Sequence, residues 1–123
     1  MIQHKTTSKH IILDGSYTQQ FEYKINDLIV GHVYVEQMEV SEESILIIRN
    51  LFVQHEYRNM GIANALNKEI IKEFPKSILM CYIGKHQYPV MKKVMKANNF
   101  RCTGKIINKY KELVRLYIRN PSS

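Results

Sequence analysis

Between a run of aliphatic residues and an amphipathic stretch, the sequence reads Val53-Gln54-His55-Glu56-Tyr57-Arg58-Asn59-Met60-Gly61-Ile62-Ala63. These residue types at this spacing suit the binding of phosphate. A helix starting at Gly61 has first-turn N–H groups without intrahelical partners, and its dipole adds positive potential at the same end. Gly61 and Ala63 keep the surface bare enough for phosphate oxygens to reach the backbone. Arg58 carries a charge at any pH and can grip those oxygens. The plainer alternative is an ordinary strand-to-helix turn with Asn59 as its cap. The short Arg-x-x-Gly-x-Ala pattern alone does not separate the two, so the elements around it must.

Those elements can be read from periodicity. Residues 9–13 suggest a short strand ended by Asp14-Gly15-Ser16, and residues 18–25 a second, with Asn26-Asp27 as the turn into a third at 29–38. There Gly31, Val33 and Val35 alternate with His32, Tyr34 and Glu36, the period of a strand with one buried face. A polar loop with Glu39, Glu42 and Glu43 leads to residues 45–53, apolar on both faces like a central strand. From Gly61 the period lengthens. Ile62, Leu66, Ile70 and Phe74 mark a helix that ends before Pro75. A strand at 77–83 follows. Pro89 opens a second helix with Val90, Met91, Val94 and Met95 inward and Lys92, Lys93 and Lys96 outward, ended by Asn98-Asn99. Strands near 100–107 and 111–119 close the chain, with Val114, Leu116 and Ile118 on one face. The order β-β-β-β-α-β-α-β-β predicts an α/β (α+β) fold. Its mixed central sheet has a central β-α-β crossover through residues 61–74 and helices packed on the sheet.

Composition narrows the class. With 123 residues the chain is expected to be one domain spanning residues 1–123. It is 45% apolar and 24% charged, as in soluble globular proteins. The longest aliphatic run, Ile45–Ile48, is far below the roughly 20 residues of a membrane span. No apolar stretch near Met1 suggests a secretory signal, so a cytoplasmic location is expected. Cys81 and Cys102 are too few for a disulfide framework and lack metal-ligand spacing, so no metal is expected. The net charge of +7 is uneven: residues 1–56 carry four basic and eight acidic groups, and residues 57–123 fourteen and three. An anionic ligand on the second half is one explanation, and lysines on solvated helix faces are another.

The turn in this context resembles the GNAT superfamily of N-acetyltransferases, whose signature runs Val-x-x-x-x-Arg-x-x-Gly-x-Gly/Ala. The resemblance extends over about residues 18–119 and is most specific at residues 51–63. It implies acetyl-CoA as co-substrate, with Arg58, Asn59, Met60, Gly61, Ile62 and Ala63 around its pyrophosphate. Leu51, Phe52 and Val53 would run beside the pantetheine arm, between two splayed parallel strands. A main-chain N–H near Phe52 or Val53 would polarise the acetyl carbonyl.

The family's acid and base do not transfer by position. Its usual central-strand carboxylate falls at Arg49 and Asn50, neither of which can be a base; both are left as acceptor-contact residues. Its frequent acid, a tyrosine of the last helix, falls at Met95, and the glycine of its Gly-Phe pair is Asn99. Its helix-opening Asn falls near Tyr88. The catalytic candidates are therefore Tyr88, which can protonate a departing thiolate, and His32 and Glu36, which with Tyr34 can relay a proton through water. Each has a plain alternative: a tyrosine packed beside Pro89, or hydrogen-bonded groups on a strand surface. Cys81 reads as a core residue, and His55 and Glu56 as solvated loop.

The resemblance also implies a strand and two helices ahead of the residue-18 hairpin, where this sequence has about 17 residues. An acceptor site open to a second subunit, giving a homodimer, or to a large substrate is therefore expected. The function expected is acetyl transfer to a primary amine by direct attack, a cationic small amine or protein lysine being favoured by Glu36, Glu39, Glu42 and Glu43. Arg49 argues for an anionic acceptor instead. The rivals are a basic nucleic-acid-binding module built on Lys85, Lys92, Lys93, Lys96, Lys105, Lys109 and Lys111 with Tyr82, Tyr88 and Tyr110, and a CoA-binding relative without catalysis.

Overall fold

Asn26 and Asp27 both adopt positive φ (50° and 69°) between the paired residues Ile25 and Leu28. This two-residue turn matches the twist of the strands it joins, because Asn and Asp tolerate the left-handed region. It connects β2 (Ser16–Ile25) to β3 (Leu28–Met38). The computed structural model describes residues 4–13, 16–38, 44–84, 88–108 and 110–121, with the side chains of 8–13, 16–18 and 88 excepted. The acidic residues Glu39, Glu42 and Glu43 lie outside the described residues, as do Asp14, Gly15, Lys85 and Lys109.

The strand expected at residues 9–13 is longer than its sequence suggested. β1 runs His4–Leu13 and pairs along its whole length with β2, from His4↔Ile25 to Leu13↔Ser16. Its polar first half, Lys5 to Lys9, conceals it from a hydrophobic-pattern reading, since an edge strand has little surface to bury. The sheet continues through β4 (Ile45–Val53), β5 (Ile78–Gly84), β7 (Leu113–Arg119) and β6 (Arg101–Ile107), in the order β1-β2-β3-β4-β5-β7-β6. Among the described strands only β4 and β5 are parallel, joined through helix α1 (Ile62–Glu73) as the crossover. The expected mixed sheet and element order are thus the observed ones.

The core lies between this sheet and its two helices. Cross-strand pairing places Phe21, Val33, Val35, Ile48, Leu79, Cys81 and Tyr117 on one face, all buried, against Ile62, Leu66 and Ile70 of α1. Gly31 is where α1 comes closest: a Cβ there would stand 3.1 Å from the Ile62 side chain and 3.2 Å from the Phe52 carbonyl. Helix α2 (Tyr88–Ala97) buries Met91 and Met95 on the same face. Val90, expected inward, is 57% exposed, because it sits in the first turn, beyond the edge of the core. The helix ends as expected, with Asn99 left-handed (φ 65°) and the Phe100 N–H bonded to the Met95 carbonyl at 3.0 Å.

No helix among the described residues packs on the opposite sheet face. Val114, Leu116 and Ile118 do share a face, but it is this one; Tyr117 and Arg119 point toward the helices. With them lie Ile47, Met80 and Tyr82 and, toward β3, His32, Tyr34 and Glu36. No helix among the described residues is long and apolar enough to cross a membrane.

Candidate active site

β4 is deformed at the point where chemistry was expected. Tyr34 pairs with Arg49 and His32 with Phe52, so Val33 of β3 faces two residues, Asn50 and Leu51. This is a β-bulge, and Asn50 takes the left-handed conformation (φ 55°) that it needs. β4 and β5 pair from Ile45↔Ile78 to Ile48↔Cys81 and no further, although β4 continues to Val53 and β5 to Gly84. The strands therefore part at the bulge, leaving a gap between Arg49–Val53 and Tyr82–Gly84. The Gln54 N–H bonds the Val30 carbonyl at 2.8 Å, which makes Val53↔Gly31 the alternate pair whose main-chain groups turn away from β3. The Val53 carbonyl accepts a hydrogen bond from Arg58 Nε at 3.0 Å, and the Val53 N–H points to the same side. Of the two donors expected, Phe52 or Val53, the register directs that of Val53 toward the gap.

The turn beyond β4 is held from both ends. Gln54 Nε2 donates to the Ile29 carbonyl at 3.1 Å, and a single 3-10 turn, His55–Tyr57, follows. Tyr57 is half-buried against the core. Asn59 (φ 64°) and Gly61 (φ 79°) both take left-handed backbone to redirect the chain into α1. Gly61, not Asn59, is the residue before the helix, and no side chain caps the helix start. From this turn into the helix, the Ala65 N–H bonds the Gly61 carbonyl at 3.0 Å. A Cβ at Gly61 would meet nothing within 4 Å, so the helix N-terminus opens outward. Met60 and Asn59 are exposed, Ala63 is half-buried, and Ile62 is buried, so Ile62 can offer only its main chain. Arg58, expected as a phosphate grip, is anchored through one of its five N–H donors. Its Nε is held by Val53, and its guanidinium lies 5.9 Å from the Phe52 ring centroid, which clamps the turn back onto β4.

Of the expected acid–base candidates, His32 and Glu36 lie on the face away from the helices. His32 packs against Tyr34 (ring centroids 5.5 Å apart) and Phe52 (5.7 Å), a cluster at the edge of the bulge. Glu36 and Arg49 form an ion pair, Nε to Oε2 2.7 Å. Glu36 and Arg49, which pointed to opposite acceptor charges in the sequence, thus offset one another locally across β3 and β4. Asn50 is exposed at the bulge. Tyr88 begins α2, and its side chain lies outside the described residues. No group of three His, Cys, Asp or Glu among the described residues is arranged to hold a metal. Cys81 is a core residue; burial pushes its thiol up to about 12, so it is no nucleophile.

Two features escaped the sequence reading. Asn98 donates to Asn64 Oδ1 (2.7 Å) and the Val94 carbonyl (2.8 Å), while its own carbonyl accepts from Arg119 Nε (3.1 Å), tying α2 to α1 and β7. Asn67, in the midst of α1, is buried. The only signal for either was a polar residue close to an apolar helix stripe.

No family model matches the sequence, and no curated protein matches it. Solved structures do. The ribosomal-protein-S18-alanine N-acetyltransferase of Escherichia coli superposes with a TM-score of 0.74 at 12% identity, over 97% of this chain and 96% of that one. An acetyltransferase of the GNAT family from Streptococcus pneumoniae gives 0.72 at 17% identity, over 89% and 69%. Arabidopsis thaliana Naa50, solved with the bisubstrate analogue CoA-Ac-MVNAL, gives 0.71 at 17% identity, over 82% and 72%. The chain has the fold of the GNAT acetyltransferases.

Proposed function

We propose that the protein is an acetyl-CoA-dependent N-acetyltransferase that acts on a primary amine. The observation that carries this reading is the parting of β4 from β5 directly beside an uncapped helix start. A gap between parallel strands exposes main-chain donors on its walls, and the helix start exposes more beyond Gly61. A long ligand with phosphates at one end and an acyl group at the other matches both. The bare space over Gly61 fits a pyrophosphate contacted by the backbone of residues 58–63. Leu51, Phe52 and Val53 would flank the arm.

In this reading the Val53 N–H stabilises the oxygen that becomes negative as the amine attacks the acetyl carbon. The amine N–C bond forms, the C–S bond breaks, and the sulfur leaves as thiolate and takes up a proton. Arg58 contributes by fixing the Val53 carbonyl and hence the direction of that N–H. An alkyl ammonium has a pKa of about 10.4, so a proton must be removed before attack near neutral pH. His32 and Glu36, on the face where an acceptor would approach, are the groups proposed to relay it, with Tyr88 as donor to the thiolate. The pairing of Arg49 with Glu36 removes the strongest reason to prefer either acceptor charge, and a cationic amine remains favoured only by the sequence around Glu39.

The acceptor face is proposed to be closed by a second copy of the chain or by a macromolecular acceptor. Light scattering across a concentration series separates the two. Titration calorimetry with CoA, followed by mass spectrometry of amines and peptides offered with acetyl-CoA, tests the whole reading. Binding with acetyl transfer is expected. Binding without transfer to any acceptor would favour a non-catalytic relative, and no binding would overturn the proposal.

A further inference from the structure

Asn67 is 4% exposed, and neither its amide nitrogen nor its amide oxygen has a hydrogen-bond partner among the described residues. A buried amide left unsatisfied at both atoms opposes folding, whereas a leucine at this position would not. Such costs are retained where a site is incomplete without its ligand. The surroundings point the same way. Asn67 lines a small cavity of about 10 Å³ with Val33, Ile48 and Leu51 of the sheet, Ile70 of α1, and Met91 and Met95 of α2. It is the only polar side chain among them. A trapped water would find one amide where it needs two to four polar partners.

The position is specific. Ile48 is the last residue of β4 paired with β5, and Leu51 belongs to the bulge where the strands part. Asn67 stands six residues from Gly61, about 9 Å along the helix at 1.5 Å per residue. It therefore lies between the phosphate turn and the inner end of the strand gap. The wall on the α2 side is two methionines, whose unbranched side chains repack readily.

We infer that Asn67 is a cofactor-binding residue whose carboxamide pairs with a secondary amide of the CoA pantetheine arm. An amide that lacks both a donor and an acceptor is complemented by a group offering both, as each amide of that arm does. The inference rests on the CoA reading above and adds a contact from the middle of α1 that the phosphate turn does not supply.

The test is Asn67→Leu, which keeps the branched shape at a somewhat larger volume and removes both polar atoms, read by calorimetry with two probes and by thermal melting. CoA contains the arm; adenosine 3′,5′-bisphosphate lacks it. The variant is expected to melt no lower than the parent, to bind CoA about tenfold more weakly, as loss of one to two hydrogen bonds implies, and to bind the bisphosphate as the parent does. Should leucine crowd the cavity and lower the melting temperature, Asn67→Ala reads the same two affinities. A variant that matches the parent on CoA, or that loses CoA and bisphosphate equally, overturns the inference while leaving the CoA reading intact. A parent that binds neither probe overturns both.

Discussion

Gly61→Glu separates folding from binding at the phosphate turn, and its consequences can be worked out in advance. At φ 79° a side chain costs about 1–2 kcal/mol of backbone strain. No steric cost is added, because the new Cβ meets nothing within 4 Å. A carboxylate at a helix N-terminus returns about 0.3–1 kcal/mol through the dipole. The net loss is therefore on the order of 1 kcal/mol, a fall in Tm of roughly 3–6 °C for a domain of this size. Binding should suffer far more. A carboxylate about 4 Å from a phosphate charge costs about 1 kcal/mol in bulk water and about 4 kcal/mol at a partly shielded surface. That corresponds to a loss of CoA affinity of about 5-fold to 1,000-fold. Gly61→Ala is the control: it carries the strain without the charge. Calorimetry at two salt concentrations distinguishes them, since screening relieves only the charged variant. If Gly61→Glu melts within that range yet binds CoA like the parent, the phosphates sit elsewhere and the reasoning from the helix start fails.

Glu36→Gln should barely change stability, because the ion pair with Arg49 is half-exposed and such pairs contribute about 0–1 kcal/mol. Turnover should fall partially, within the range of about 10²–10⁴-fold supplied by a positioned acid or base, and likewise for His32→Ala. Complete loss of activity with CoA binding intact would show one indispensable base instead of a shared relay. In the native protein a thiol reagent should label Cys102, which is exposed, and spare Cys81, with both reacting after unfolding. Cys81 also sets an alkaline limit. The folded state holds the neutral thiol up to about 12, while the unfolded chain ionises near 9.0. The stabilising preference is complete below pH 9 and is lost above it at up to about 1.4 kcal/mol per pH unit. Cys81→Ala should be less stable at pH 7 yet show a shallower decline above pH 9; an identical slope would show that other groups set it.

Local and periodic features were legible in the sequence alone. The turn at Asn26-Asp27, the alternation of β3, the four-residue spacing of Ile62, Leu66 and Ile70, and the Asn99 helix end each depend on neighbours within a few residues. Backbone preference and one-sided burial suffice to specify them. The segment 53–63 was likewise visible as a strand-to-helix turn, because Gly61 and the change of period coincide there. Tertiary structure alone decided what depends on partners far along the chain. β1 is a strand only because β2 offers it a complete ladder, which its polar side chains do not announce. The bulge at Asn50 exists relative to β3, and the gap relative to β5, so neither has a signature in residues 45–53 themselves. Register chose Val53 over Phe52 as the donor facing that gap. Tertiary contacts also gave Arg58 a structural task, holding the Val53 carbonyl beside the Phe52 ring, and placed Glu36 and Arg49, read separately in the sequence, 2.7 Å apart. A side chain's charge is written in the sequence, but the groups that satisfy it, or leave it unsatisfied as at Asn67, are set by which strands and helices are brought side by side.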